Sequence, residues 1–164
     1  MIELRAAEAV DVPAVAGLLE EMDRFYGSVE FPPIELRQRQ IKGLLFGPVP
    51  AARVLLAFDG TDLVGLATYS SLWPAAGVTQ SLYLKELYVR ESHRKRGVGR
   101  LLMARLCAVA IETGCSRVEW TTDRDNEAAQ DFYERLGTVV NPGKIMYRVD
   151  GDDIARLAEH TSRS

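Results

Sequence analysis

The chain has 164 residues, 47% hydrophobic and 26% charged, with a formal charge of −3. That length supports one domain with a proper core, and the composition is ordinary for a soluble globular protein. An acidic total argues against general nucleic-acid binding, which needs a basic face over much of a domain.

Taken in chain order, Ile2 to Arg5 alternates as a short first strand. Asp11 is placed to cap a helix whose first turn tolerates Pro13. Val15, Leu18, Leu19, Met22, Phe25 and Tyr26 then recur at helical spacing as one apolar face, with Glu20, Glu21 and Asp23 off that stripe. "GSVEFPP" ends this helix, and a second is expected over 34–46. "ARVLLAFDGTDLVGLATYSSLW" reads as a hairpin, with strands over about 52–58 and 63–72 around the turn signal Asp59-Gly60. After "PAAGVTQ" comes a strand over 81–89, then a helix over about 97–113 whose Val98, Leu101, Leu102, Leu106, Val109 and Ala110 should face inward. A strand over 117–122, a helix over 126–136 closed by Gly137, a last strand at "KIMYRV" and a short helix capped by Asp152 complete the pattern. Strands and helices alternate with no composition break, which predicts a single α/β domain over 1–164.

Two cysteines and two histidines form no metal-ligand cluster, so no metal is expected. Cys107 falls within an apolar helix pattern and should be a buried thiol. "MIELRAAEAVDVP" lacks a basic stretch followed by an apolar block, and no run approaches the roughly 20 apolar residues that span a bilayer. A cytoplasmic protein with no membrane and no nucleic-acid partner is expected.

The segment "RESHRKRGVGRLL" carries the most chemistry. A strand that runs through a glycine turn into a helix presents unpaired N–H groups and the positive end of the macrodipole. Gly97 and Gly99 allow close backbone approach, and Arg94, Lys95 and Arg100 can supply charge to a diphosphate. Known phosphate motifs fail here. A P-loop needs Lys-Ser/Thr where Arg100-Leu101 stands, and a dinucleotide fingerprint needs a third glycine where Leu102 stands.

The run "LYLKELYVRESHRKRGVGRLLMARL", followed by "DNEAAQDFYERLG", resembles the GNAT superfamily of acyl-CoA-dependent N-acetyltransferases. The matching pieces are Leu87-Tyr88-Val89, Arg94-x-x-Gly97-x-Gly99, and the block from Asn126 through Ala129, Phe132 and Tyr133 to Gly137. "LATYSSLWPAAGVTQSLYLKELYV" and "KIMYRVDGDDIARLAEH" look most like the branch with diamine (spermidine/spermine) and thialysine acetyltransferases. The resemblance implies a central mixed, mostly antiparallel sheet of about six to seven strands flanked by helices. It implies acetyl-CoA as acyl donor, with pantetheine along Leu87, Tyr88 and Val89. The diphosphate would rest on the amides of Arg94, Lys95, Arg96, Gly97, Val98, Gly99 and Arg100, with Asn126 capping its helix and touching the coenzyme. It further implies Tyr133 as general acid or hydrogen-bond donor at the coenzyme sulfur, the bland alternative being a core aromatic in the Phe132, Tyr133 and Leu136 stripe, and a homodimer, a matter that Leu82, Tyr83 and the terminal strand leave open.

Glu86, late in its strand, is the candidate base for an incoming ammonium; the bland alternative is a solvated strand residue paired with Lys85 or Arg90. Alternation places Lys85 and Glu86 on opposite faces unless a bulge intervenes. Glu20, Glu21, Asp23 and Glu30 are candidate carboxylates of an amine pocket, or solvated acids; Trp73 and Tyr26 are its candidate walls, or plain packing residues. The diamine enzymes read Leu-Glu-Asp where this chain has Leu84-Lys85-Glu86, which argues against a spermidine-like substrate. The expected activity is direct transfer of an acetyl group to a primary amine of a small molecule. The alternatives are a protein or aminoglycoside acceptor, or a non-catalytic acyl-CoA-binding module.

Overall fold

A computed structural model describes residues 1–159. The chain divides into two compact units, the first Met1–Asp123 and the second beginning at Arg124.

The first unit is built on a five-stranded mixed sheet in the order β1-β2-β3-β4-β5. These strands are β1 (Ile2–Ala6), β2 (Arg53–Asp59), β3 (Asp62–Leu72), β4 (Gln80–Val89) and β5 (Cys115–Glu119). The first four pair antiparallel, and β5 joins β4 in parallel. The hairpin between β2 and β3 turns at Gly60, whose φ of 61° needs no Cβ. Three helices belong to this unit: α1 (Val12–Phe25), α2 (Ile34–Phe46) and α3 (Val98–Glu112).

Val15, Leu18 and Met22 of α1 bury against Val54, Leu56, Leu63, Leu66 and Tyr88, with Ile41 and Leu45 of α2 at the margin. Side chains alternate across a strand, so Leu55, Ala57 and Gly65 face the other way, toward α3. There Val98, Leu102, Met103, Leu106, Val109 and Ala110 are buried. The sheet is covered on both faces, and β2 and β3 therefore read as continuous apolar runs.

In the second unit α4 (Glu127–Arg135) starts at Asn126, whose side-chain oxygen accepts the Ala129 N–H at 3.1 Å. Gly137 closes it with φ 81°. Helix α5 (Asp152–Glu159) ends the described residues. Among these, no helix is long and apolar enough to cross a membrane.

The sheet has five strands, not six or seven. "KIMYRV" forms none, and its Ile145, Met146, Tyr147 and Val149 are exposed. β-propensity makes a strand only where a neighbouring strand takes up the N–H and C=O groups. β5 starts two residues and ends three residues before the expected 117–122. On α3, Leu101 and Cys107 lie on the outer surface rather than inside, because Leu102, Met103 and Leu106 already fill the inward arc. Leu82 is buried in the sheet and Tyr83 is partly buried. Phe25 and Tyr26, at the end of the α1 stripe, are exposed over about half their area.

Asp11 does not cap α1 with its side chain. Its carboxylate instead accepts two hydrogen bonds from the Arg5 guanidinium and one from the Glu8 N–H, each at 2.7 Å. The Arg5 hydrogen bond is the main reason its pKa falls below the usual carboxylate range. Replacing Asp11 with Asn is expected to cost about 1.5–3 kcal/mol at pH 7, read by urea unfolding. A depressed carboxylate contributes fully above its unfolded pKa of about 3.9 and loses that contribution as pH falls through the folded value. Wild type and variant should therefore converge in acid; a gap unchanged from neutral to strongly acidic pH would contradict the assignment.

Candidate active site

The site begins with a slip in register. Tyr69 pairs with Leu84, but the next residue back, Thr68, pairs with Glu86, leaving Lys85 as an extra residue in β4. The Glu86 N–H is taken up by Thr68 Oγ1 at 3.1 Å. A bulge of this kind breaks strict alternation and turns the strand locally. Here the Lys85 ammonium and the Glu86 carboxylate, which alternation would send to opposite faces, lie 3.8 Å apart.

Glu86 is partly buried. Burial is the largest cause holding its pKa above the ordinary carboxylate value; Lys85 opposes the shift, while Asp23 and Asp123 add to it. The Tyr26 phenol is also pushed up, first by local burial and then by Glu86, with Arg94 opposing. Tyr26, Asp23, Asp123 and Glu86 thus share one electrostatic neighbourhood. Asp23 also lines a cavity of about 340 Å³ between α1 and α2, with Leu19, Arg37, Gln40 and Leu44. Such a setting attracts a cation and favours the proton-accepting role of a carboxylate.

Beyond the bulge, Leu87, Tyr88 and Val89 pair with Ala67, Leu66 and Gly65. A short 3-10 turn (Glu91–His93) follows, and the chain then passes Arg94 in an extended conformation. Lys95 has φ 60° and Gly97 φ 84°, both left-handed, before α3 starts at Val98. Left-handed residues at a helix entry turn successive N–H groups to one side, making an anion-binding concavity. The N-cap is a glycine and offers no side-chain cap, so the first-turn N–H groups of α3 keep the capacity to bind an anion.

The three cations of this loop differ. Arg94 donates from Nε to the Val89 carbonyl at 2.9 Å and lies 4.2 Å over the Phe25 ring and 5.5 Å over Tyr88. Arg96 stands 3.7 Å from Asp59, as does His93 Nε2 at 3.4 Å. Lys95 has no ion pair among the described residues. Arg94 and Arg96 thus tie the loop to β4, the end of α1 and the hairpin turn.

Of the expected amine-pocket residues, Tyr26 joins Glu86. Trp73 is exposed and turns its indole N–H onto the Val78 carbonyl of its own loop at 3.0 Å. Glu30 is exposed in the loop between α1 and α2. In the second unit, Asn126 caps α4, and the partly buried Tyr133 packs at 5.1 Å against Phe132.

Sequence reasoning missed Asp123 and Gly65. Nothing local marks Asp123, since it acts on Glu86 from the segment after β5, distant in sequence. Gly65 could have been found: a glycine inside a strand signals close approach. A Cβ there would lie 3.1 Å from the Tyr88 carbonyl oxygen, 3.3 Å from Val98 and 3.4 Å from Leu102. The bare backbone at Gly65 lets the first turn of α3 settle against the end of β4.

The model of the Acetyltransferase (GNAT) family matches residues 16–138. An L-ornithine N5-acetyltransferase of Arabidopsis thaliana is 30% identical over 58% of this chain and 42% of its own length. A thialysine N-epsilon-acetyltransferase of Bos taurus is 23% identical over 96% of this chain and 97% of its own. The chain thus spans less than half of the first relative and nearly all of the second. Among solved structures, an integron cassette protein from the mobile metagenome of V. cholerae superposes with a TM-score of 0.89 at 26% identity, covering 96% of this chain and 98% of that one.

Gly65→Ala is expected to destabilise the protein by about 1–3 kcal/mol through overpacking. Because Val98 supplies one of the close contacts, Gly65→Ala combined with Val98→Ala should lose less than the sum of the single losses. Strict additivity in chemical denaturation would show that the two do not press on one another.

Proposed function

We propose that this chain, which belongs to the Acetyltransferase (GNAT) family, moves an acetyl group from acetyl-CoA to a primary amine of a small molecule by direct attack. The observation that carries this reading is the continuity of β4 and α3: a carboxylate at a bulge in the strand and, beyond the strand end, a left-handed turn at Lys95 and Gly97 into a helix start. The names of the relatives support it, one given for N5 of ornithine and the other for the epsilon nitrogen of thialysine.

The larger chemical obstacle is the acceptor's proton. An alkyl ammonium has a pKa near that of Lys, about 10.4, so near pH 7 roughly one molecule in 2,500 is neutral, a handicap of about 4.6 kcal/mol. A leaving thiol, with pKa about 8.5, departs more easily. Asp23 and Asp123 gather the ammonium, and Glu86, with its pKa raised, takes the proton. The concave turn at Lys95, Gly97 and the first residues of α3 fits a diphosphate, since amides that point one way at a helix N-terminus suit that charge. Acetyl-CoA supplies the activated thioester. Leu87 to Val89 lend backbone hydrogen bonds to its pantetheine, and Asn126 contacts it while capping α4. Tyr133 donates a proton to the leaving sulfur.

Thiol release from acetyl-CoA in the presence of an amine panel tests the reading; release dependent on an amine is expected. Tyr133→Phe should lower kcat by about 100-fold while coenzyme affinity stays within about threefold. Equal turnover in that variant removes Tyr133 from the chemistry. Glu86 works only when ionised, so kcat/KM in the wild type should fall as pH drops through its raised pKa. Glu86→Gln should erase that acid limb; an unchanged pH profile clears Glu86 of base duty.

A further inference from the structure

We infer that Lys85 selects acceptors that carry a carboxylate as well as a primary amine, amino acids in place of polyamines; this rests on the amine-acetylating reading above. The register slip makes Lys85 the unpaired residue of the bulge. Its side chain is 64% exposed, yet its ammonium stands 3.8 Å from the proton-accepting carboxylate.

Neighbouring cations are already engaged. Arg94 is held by the Val89 carbonyl and the Phe25 ring. Arg37 is buried and bound to Glu20 at 2.6 Å. Arg90 is tied to Glu21 at 2.9 Å. The ion pair of Lys85 with Glu86 is its sole one among the described residues. Both partners of that pair reach solvent, so the pair itself is weak and easily exchanged.

An arriving acceptor must place its ammonium at Glu86 and so displaces Lys85. A substrate with a carboxylate replaces both partners at once: its ammonium takes Glu86 and its carboxylate takes Lys85. A polyamine replaces only one, and its remaining cation meets the freed Lys85 ammonium. The four-carbon lysine stem sweeps several positions, so the amine-to-carboxylate spacing is not fixed by this contact. The charge pattern is.

Lysine, lysinamide and cadaverine separate the effect, since they present one chain with a carboxylate, with a neutral amide and with neither. In the wild type, kcat/KM for lysine should exceed that for the other two by about tenfold or more. Lys85→Gln should bring the three within about threefold, and Lys85→Glu should invert the order, with the change carried by KM. Ratios that do not move in either variant overturn the inference. So does an equal change for all three acceptors with a displaced pH profile, which would assign Lys85 only to tuning Glu86. Turnover of other amines but of none of these three also sinks the inference while leaving the proposed function standing. No turnover with any amine, despite coenzyme binding, overturns that function and the inference with it.

Discussion

One extra residue in β4 decides what the sheet can offer at its end. Had β3 and β4 paired without the slip, Lys85 and Glu86 would point to opposite faces, as the pleat requires. The bulge instead brings the two charges within 3.8 Å of one another and redirects the strand before Leu87. The displaced backbone is not left unsatisfied, because Thr68 accepts the Glu86 N–H from across the ladder. Past the slip, pairing resumes and carries Val89 opposite Gly65. That is where the missing Cβ lets α3 approach. Carboxylate, strand end and helix start are thereby held in one rigid succession of hydrogen bonds and close packing.

The proposed anion site does not conflict with an acidic chain. The summed charge of −3 describes the far field, which salt screens over about 8–10 Å. Binding at a helix start depends on amides a few ångströms away. The arginines nearest the turn do structural work: Arg94 joins the end of α1 to the end of β4 through two aromatic rings and a carbonyl. Asp59 draws both His93 and Arg96 toward the hairpin turn. Two acids, Asp23 and Asp123, act on Glu86 instead.

Elements whose burial is periodic were legible before any coordinates. Helix α2 occupies the expected 34–46, β4 begins one residue before its expected start, and the hairpin turns where Asp59-Gly60 signalled. The GNAT likeness read from two sequence blocks agrees with the matched family. What escaped depends on partners distant in sequence. "KIMYRV" has strand-forming residues but pairs with no strand among the described residues, and Cys107 sits in an apolar run yet on its outer side. A composition rule cannot see which arc of a helix meets the sheet. The bulge was foreseen only as a possibility, since its position is fixed by cross-strand register rather than by any local signature. Asp123 entered the site by the same non-local route.

Under the proposed function, main-chain amides at the start of α3 hold the coenzyme's two linked phosphates. Amide chemical shifts during a titration of the labelled protein test this most directly, comparing coenzyme A with pantetheine, which lacks the diphosphate. The account predicts large shifts over Lys95 to Arg100 with coenzyme A and little response there to pantetheine. A coenzyme titration that leaves those amides unmoved, or one that pantetheine reproduces, would contradict it.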